Sequence, residues 1–578
     1  MIQKVSNRGF YHIIVLSRIK RGAIMECREI IYEENVLSYI IGNYISEEYL
    51  TDLYEPDCFI PFDANQAVVF RTVDSVESAE IERFGFSAIP NVYGLMSIEA
   101  LEASGVLRIR RQPFLDLFGQ GVLIGFVDTG IDYEHEAFRN ADGTTRIVSI
   151  WDQTVQEGAG PQPFFYGAEY TRERIDEALL SENPSEIVPQ QDEVGHGTFL
   201  AGIAAGNEKR EREFGGVAPL AELVIVKCKP AKAAYRNYYG IRADVPAFQE
   251  DDVMAGVTYL LEVARRELKP IVICVGMGTS MGSHRGASNL SVFMDRYATY
   301  QGVGMFTCAG NEGNARHHHH IQKQEDTISI NVEQNISGFM AQLWWQTPGN
   351  LLIDLTAPGG EEVEGIRAVS GGRFQHRFIQ ENTTVELFFG VSQEITREQV
   401  VVFRFLLPKT GLWKIRTRFD YENPDFHIWL PIRQFLEADV FFLTPDPNTT
   451  ITNPGTGENV LTVSAYDSMT DSLYLRSGRG FSVEGTVKPE VAAPGVELIG
   501  TYPGNRYGTM SGTSVSAALA TGIGALFMES LFDIGMTGAT GLTISEMFIR
   551  GAVPRGMPRP NAEWGYGMVD AYASLTME

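Results

Sequence analysis

Three side chains stand in settings that could break an amide bond. Asp128 closes the apolar run LIGFVD and is followed by TGID, His196 sits between glycines in VGHGTFLAGIAAG, and Ser514 lies in MSGTSVSAALATGIGALF. Hydrolysis by a serine needs a base for the hydroxyl proton and a carboxylate that holds the base in one tautomer. It also needs donors for the tetrahedral oxyanion and an extended cradle for the peptide. A carboxylate at a strand end could hold an imidazole through Nδ1–H, and glycines beside His196 leave its ring open to a neighbour. A Gly-Thr-Ser at the mouth of a small-residue helix sets the hydroxyl at the positive helix end, with backbone N–H groups facing an oxyanion. Asn311, in MFTCAGNEGN, offers a side-chain amide as a second donor.

Each motif also has an ordinary reading. DTG is a strand-end turn and also the core of aspartic proteases, but those need a second carboxylate of the same type to share a proton. No second D[TS]G occurs in a matching apolar frame. A single histidine is often structural, a serine often caps a helix, and NEGN reads as a turn. The four motifs together outweigh these separate readings.

The elements that must position them follow from pattern. From about Ser97 to Gln324, GVLIGFVD (121–128), ELVIVKCK (222–229) and PIVICVGMG (270–278) read as buried parallel strands. Between the last two, DDVMAGVTYLLEVARREL predicts an amphipathic helix with Asp251 or Asp252 as N-cap. Strand, helix, strand predicts an α/β doubly wound parallel sheet with its site at the carboxyl ends of strands. The pattern resumes in NVLTVSAYD and closes with the helix opening near Ser514. That helix is apolar all round, a core helix rather than a membrane span because Gly, Thr and Glu529 interrupt it. Residues 326–449 break the rhythm with short β-rich runs separated by Gly, Pro and Asn, which predicts an antiparallel sandwich or jelly roll. Residues 25–96 form an α+β block with a helix expected around Val36–Ile45 and a strand at Ala67–Arg71. Residues 1–24 are an uninformative extension whose apolar run is too short for a signal peptide, and Met25 is an alternative start.

At 578 residues, three domains or one large domain with insertions are expected. A net charge of −26 argues against nucleic acid as a partner, because phosphate contact needs clustered Lys and Arg. Five cysteines without a CxxC pair predict buried free thiols and a reducing compartment, hence a cytoplasmic protein. His317–His320, expected in a loop, lack a fixed ligand geometry, so no metal and no cofactor is expected.

FVDTGID, GHGTFLAGIAAG, CAGNEGN, KPEVAAPGVELIGTYPGNRYGTMSGTS and GTSVSAALATGIGAL, in that order, resemble the motifs of the subtilisin family. The resemblance covers about 97–325 and 450–578 and implies a subtilisin-like serine endopeptidase. Ser514 would be the nucleophile, His196 the general base and Asp128 the orienting acid, with Asn311 and Ser514 forming the oxyanion hole. It also implies that Gly276, Met277 and Gly278 form one wall of the pocket for the side chain before the cut bond, and Ala309 and Gly310 the other. The stretch Val245–Phe248 would pair with an extended substrate. Val515 and Ala518 replace the family's usual methionine and proline. The β-rich insertion, the N-terminal block and PNVYGLMSIEALEASGVLRI together resemble the Csp-type germination proteases of clostridia, which activate the precursor of a spore-cortex hydrolase. That likeness implies a zymogen in which 25–96 is a propeptide, a partner of its own enzyme, cut within Tyr93–Ser97. A jelly-roll-like domain at 326–449 would split the catalytic domain, and the substrate would be a protein or peptide. Two other readings are a catalytically silent germinant-sensing or scaffolding pseudoprotease, and a general intracellular turnover protease.

Overall fold

The near-continuous apolar runs become the middle of one nine-stranded sheet. The structure, a computed structural model, describes residues 30–576 except 34, 44–45, 55, 63–64, 74–83, 86–87, 96–102, 111–114, 213, 347–348, 392–397 and 555. The strand order is Ser472–Leu473, Leu461–Asp467, Val303–Cys308, Ile271–Val275, Leu123–Asp128, Glu222–Lys227, Ile147–Asp152, Ala168–Thr171, with Val491–Pro494 also paired to Leu461–Asp467. Neighbours are parallel except Ala168–Thr171 and Ser472–Leu473, which pair antiparallel. Along the central strand, Ile124 and Phe126 enter one core with the helices His196–Ala205 and Thr513–Asp533. Leu123 and Val127 enter a second core with the helix Glu250–Glu267. Burial on both faces explains why the run does not alternate. The strands formed up to Lys227 lie on one side of Leu123–Asp128 and those from Ile271 onward on the other. A crevice therefore opens at the carboxyl end of this strand, where Asp128 stands.

The Glu250–Glu267 helix starts two to three residues earlier than expected. Gln249 is its N-cap, and Asp251 and Asp252 lie inside the first turn, where they favour the helix dipole. Among the described residues, Thr513–Asp533 is the one helix long and apolar enough to cross a membrane, and 89% of its apolar window is buried inside the protein.

In the N-terminal block, Val36–Gly42 is a strand, not a helix; the helix comes later, at Glu47–Tyr54. Val36–Gly42, Gln66–Thr72 and Cys58–Pro61 form an antiparallel sheet with Gln66–Thr72 in the middle. Val36 and Ile40 pack into the core around the Glu250–Glu267 helix, while Leu37, Tyr39 and Ile41 pack against Tyr235, Tyr238 and Tyr239. A strand buried on both faces carries no alternation, so its apolar run imitates a helix. The block is fastened to the parallel-sheet region by Lys232, which donates to the carbonyls of Glu33 and Val36, and by Tyr235, which donates to Ser38 O at 2.5 Å.

The inserted segment forms two antiparallel sheets around one core. One has six strands in the order His318–Ile321, Phe426–Trp429, Gly338–Gln346, Glu398–Leu406, Thr383–Val391, Arg373–Phe378. The other has five in the order Glu362–Arg367, Leu351–Thr356, Gly411–Phe419, Glu325–Val332, Val440–Phe442. In the six-stranded sheet, Val401, Phe403 and Phe405 face the shared core, and Val400 and Val402 join the tyrosine cluster around Tyr238. The five-stranded sheet is apolar on one face only; on the other, Asp354 accepts from Arg416 at 2.7 Å and from Arg418 at 2.8 Å. The histidine run expected in a loop is a strand, His318–Ile321. Cys228, Cys274 and Cys308 are free and buried as expected, whereas Cys58 is disulfide-bonded; Cys27 lies outside the described residues.

Candidate active site

Three elements far apart in the chain bring Asp128, His196 and Ser514 together. Asp128 ends its strand, His196 is the first residue of its helix, and Ser514 is the second of its own. His196 Nδ1 lies 2.8 Å from Asp128 Oδ1, and His196 Nε2 lies 3.1 Å from Ser514 Oγ. An ionised carboxylate only accepts, so Nδ1 carries the ring proton and Nε2 is left to accept from the serine hydroxyl. All three side chains are buried.

The glycines and threonines of the motifs have local tasks. Thr129 donates its N–H to Asp128 Oδ1 at 2.8 Å, and its hydroxyl accepts from Gly197 N at 2.9 Å. A Cβ on Gly197 would overlap Gly130 O, so only glycine lets the histidine helix approach the aspartate turn. Gly195, at φ 84°, turns the chain into that helix. Asp192 caps it: Oδ1 accepts from Gly195 N at 2.8 Å, and Oδ2 from Thr198 N at 2.8 Å and from the Thr198 hydroxyl at 2.7 Å. Asp192 was not singled out from sequence, although an acid ahead of a Gly-rich helix start is a capping signal. Ser516 donates to the carbonyls of Ala493 and Pro494, both at 3.1 Å, which ties the AAPG segment beneath the serine helix.

Asn311 Oδ1 accepts from Thr513 N at 3.2 Å and from Thr513 Oγ1 at 3.3 Å. With the oxygen engaged, the amide nitrogen is the end left to donate. The first N–H groups of the Thr513–Asp533 helix have no intrahelical acceptor, so the Ser514 N–H is a second donor in the same place. Among the described residues the free cysteines do not compete as nucleophiles: burial pushes the Cys308 thiol up to about 11 and raises Cys228 and Cys274 as well.

The expected pocket walls resolve into distinct parts. A Cβ on Gly276 would stand 3.4 Å from Asp128 Oδ2 and 3.5 Å from Ser514 Cβ, so Gly276 lies against the aspartate–serine pair itself. Met277 turns its side chain into the core behind the sheet, so only its backbone serves the cleft. A Cβ on Gly278 would meet Thr452 Oγ1 at 2.5 Å, and one on Gly310 would meet Thr452 Cγ2 and Oγ1 at 2.5 Å. Thr452 therefore fills the space between Gly278 and the Ala309–Gly310 segment, and its own N–H donates to Ala309 O at 3.1 Å. No sequence signal identifies Thr452, because it returns to the cleft only after the whole insertion.

A short strand of the N-terminal block, Val92–Leu95, runs antiparallel between two strands of the cleft. Gly94 pairs with Gly278 and Leu95 with Met277 on one side, and Val92 pairs with Gln249 and Tyr93 with Phe248 on the other. The edge expected over Val245–Phe248 is thus made by Phe248 and Gln249. Glu250 anchors the strand's start, accepting from Asn91 N at 3.1 Å and Asn91 Nδ2 at 3.2 Å. Of the stretch Tyr93–Ser97, Met96 and Ser97 lie outside the described residues.

Comparison with known proteins matches this geometry to a family. The chain is 28% identical to the Clostridium perfringens CspB protease, whose structure superposes with a TM-score of 0.73 over 82% of this chain and 97% of that one. It is 23% identical over 440 residues to the C5a peptidase of Streptococcus pyogenes serotype M6, covering 71% of this chain and 34% of the relative. It is also 28% identical over 159 residues to the subtilisin-like protease SBT2.2 of Arabidopsis thaliana, covering 25% of this chain and 18% of that one. The chain spans about a third of the length of the C5a peptidase it matches. Residues 119–394 and 443–567, well over half of the molecule, match the subtilase family, and the chain belongs to that family of serine peptidases.

Proposed function

We propose that the protein is a serine endopeptidase made as a zymogen, in which Ser514 attacks the peptide carbonyl while His196 Nε2 takes its proton. The Asn311 amide and the Ser514 N–H would hold the oxyanion, and His196 would return the proton to the leaving amine. Water then takes the amine's place, loses a proton to His196 and releases the acyl group from Ser514. Asp128 stays ionised throughout and holds the imidazole in the reactive tautomer. The observation that carries this reading is the bonded chain Asp128–His196–Ser514 at 2.8 and 3.1 Å, lying beside a cleft that already holds an extended strand.

On this reading residues 25–96 are the propeptide, 97–325 and 450–578 the catalytic domain, and 326–449 an inserted jelly-roll-like domain, except that the strand His318–Ile321, ahead of that boundary, already belongs to the inserted sheets. The propeptide ends in the substrate's own place. Leu95, the last described residue of that strand, pairs with Met277, whose neighbour Gly276 lies against Ser514. The bond cut is then expected within Tyr93–Ser97. Beyond it, substrate would enter a cleft of about 570 Å³ beside Gly195, lined by Asp132, Glu134, Glu193 and Arg506. The natural substrate is proposed to be a bacterial protein precursor such as that of a spore-cortex hydrolase, in line with the likeness to the CspB protease.

Mass spectrometry of purified wild type and Ser514→Ala tests this reading. Wild type is expected as two fragments with a new N-terminus within or just after Tyr93–Ser97, and the alanine variant as one uncut chain. If neither is cut, the scaffold reading replaces it; if wild type degrades casein broadly, the turnover reading does.

A further inference from the structure

The histidine run takes no part in the triad chemistry, yet the fold gives it a fixed geometry. The strand His318–Ile321 pairs antiparallel with Phe426–Trp429, setting His320 opposite His427 and His318 opposite Trp429. Alternation along a strand puts His318 and His320 on one face. On that face the rings of His320 and His427 stack at 4.2 Å and those of His427 and His318 at 5.1 Å, and Trp429 carries His284 on its far side at 3.9 Å. Asp425, just ahead of the second strand, brings Oδ1 within 2.6 Å of His320 Nε2 and 3.6 Å of His427 Nε2.

One placement of the ring protons satisfies both the contact to Asp446 O and the contact between His318 and His427. His318 Nδ1 lies 3.3 Å from Asp446 O, and a carbonyl only accepts, so His318 is protonated at Nδ1. Its Nε2, 2.9 Å from His427 Nδ1, must then accept, so His427 holds its proton on Nδ1. The remaining nitrogen, His427 Nε2, faces the Asp425 carboxylate with a lone pair. Two acceptors facing each other repel unless a cation lies between them. His320 has a comparable outer partner, with Nδ1 at 3.8 Å from Asp446 Oδ2. A ligating histidine whose other nitrogen faces a carbonyl, carboxylate or similar acceptor is the usual outer support of a metal site.

We propose that His320 Nε2, His427 Nε2 and Asp425 Oδ1 bind one divalent ion of the zinc class, with His318 and Asp446 as positioning residues. The three ligand atoms lie within 4.8 Å of one another, and donors about 2.1 Å from a tetrahedral zinc stand about 3.4 Å apart, so His320 Nε2 and Asp425 Oδ1 must part slightly from 2.6 Å while His427 Nε2, at 3.6 Å, already stands near that spacing. Two imidazoles and a carboxylate suit zinc better than calcium or magnesium, which prefer oxygen ligands throughout. His427 is buried and Asp425 is 61% exposed, so the fourth position opens to solvent. Binding tilts the stacked His320 and His427 rings until both lone pairs meet the ion. The ion would then clamp the strand that opens the insertion to one near its end, and it shares no ligand with the triad.

The test titrates Zn²⁺ into untagged full-length protein stripped with chelator, read by calorimetry, with Co²⁺ absorption and thermal melting as independent readouts. One equivalent should bind and raise the melting temperature, with Co²⁺ giving the visible bands of a four- or five-coordinate site. His320→Gln and Asp425→Asn, the more exposed ligands, should each weaken binding by at least about 10-fold, and Asp446→Asn by about 10-fold. Ser514→Ala should bind as wild type does. Absence of saturable binding, or binding undiminished in the His320→Gln/Asp425→Asn double variant, overturns the proposal. So does a melting temperature that follows pH but not Zn²⁺, since a shared proton alone would then bridge the group.

Discussion

The parallel sheet and the inserted sandwich use the same apolar residue types under different constraints. In the parallel sheet, three central strands end in the charged residues Asp128, Asp152 and Lys227, and backbones approach so closely that Gly197 and Gly130 tolerate no side chain between them. In the sandwich, the long strands Gly338–Gln346, Glu398–Leu406 and Gly411–Phe419 meet through large side chains. Trp413, for example, packs edge-on against Phe378 at 5.2 Å and Phe405 at 5.5 Å. The first region stores positional accuracy and the second stores buried area. Changes in the first should therefore cost rate at constant stability, and changes in the second should cost stability at constant rate.

The largest effect expected is on rate alone. In subtilisin, loss of the serine or histidine costs about 10⁶ in turnover. Ser514→Ala and His196→Ala should lose about as much on a peptide substrate while their melting stays near wild type; a large drop in melting would break the contrast. Trp413→Ala should do the opposite, removing about 3–5 kcal/mol of stability in denaturant melts, as expected for a fully buried tryptophan, with kcat of the folded fraction unchanged. A parallel fall in kcat would mean that the sandwich positions the cleft. Asn311→Ala should lower kcat by about 10²–10³ with little change in KM, the loss expected for one oxyanion donor.

The smallest effect lies where the two regions touch. His284, from the parallel-sheet region, stacks on Trp429 of the insertion and approaches Ser280 O at 3.0 Å. Burial, helped by the nearby His427 and opposed by the bonds to Ser280 and the Ile451 backbone, pushes its imidazole down to about 4. A depressed histidine contributes stability that is whole above its unfolded value near 6.5 and is lost as pH falls through the folded one. Between pH 6.5 and 4 the loss is on the order of 3 kcal/mol. Melting curves across that range should fall more steeply for wild type than for His284→Phe, which keeps the stack; equal slopes would remove this account of the junction.

Legibility from sequence followed the range of the interactions. The motifs around Asp128, His196, Asn311 and Ser514 were readable because each encodes a local need, such as a strand end, a glycine approach or a helix mouth, and the structure brings these four residues together. Val36–Gly42 looks helical in the sequence because burial on both faces erases the alternation that marks a strand. The histidine run was read as a loop because four identical residues have no period, and its partner strand Phe426–Trp429 lies at the far end of the insertion. Thr452 and Glu250 were invisible for a related reason: each acts on a segment that only the completed fold brings near.

Adduct mapping with a serine-directed phosphonate addresses the arrangement of Asp128, His196 and Ser514 most directly. Wild type should take up one equivalent, on Ser514 Oγ, and His196→Ala should remain unlabelled over the same time. Folded wild type that takes no label, or carries it on another serine, would contradict a hydroxyl activated by His196 at 3.1 Å.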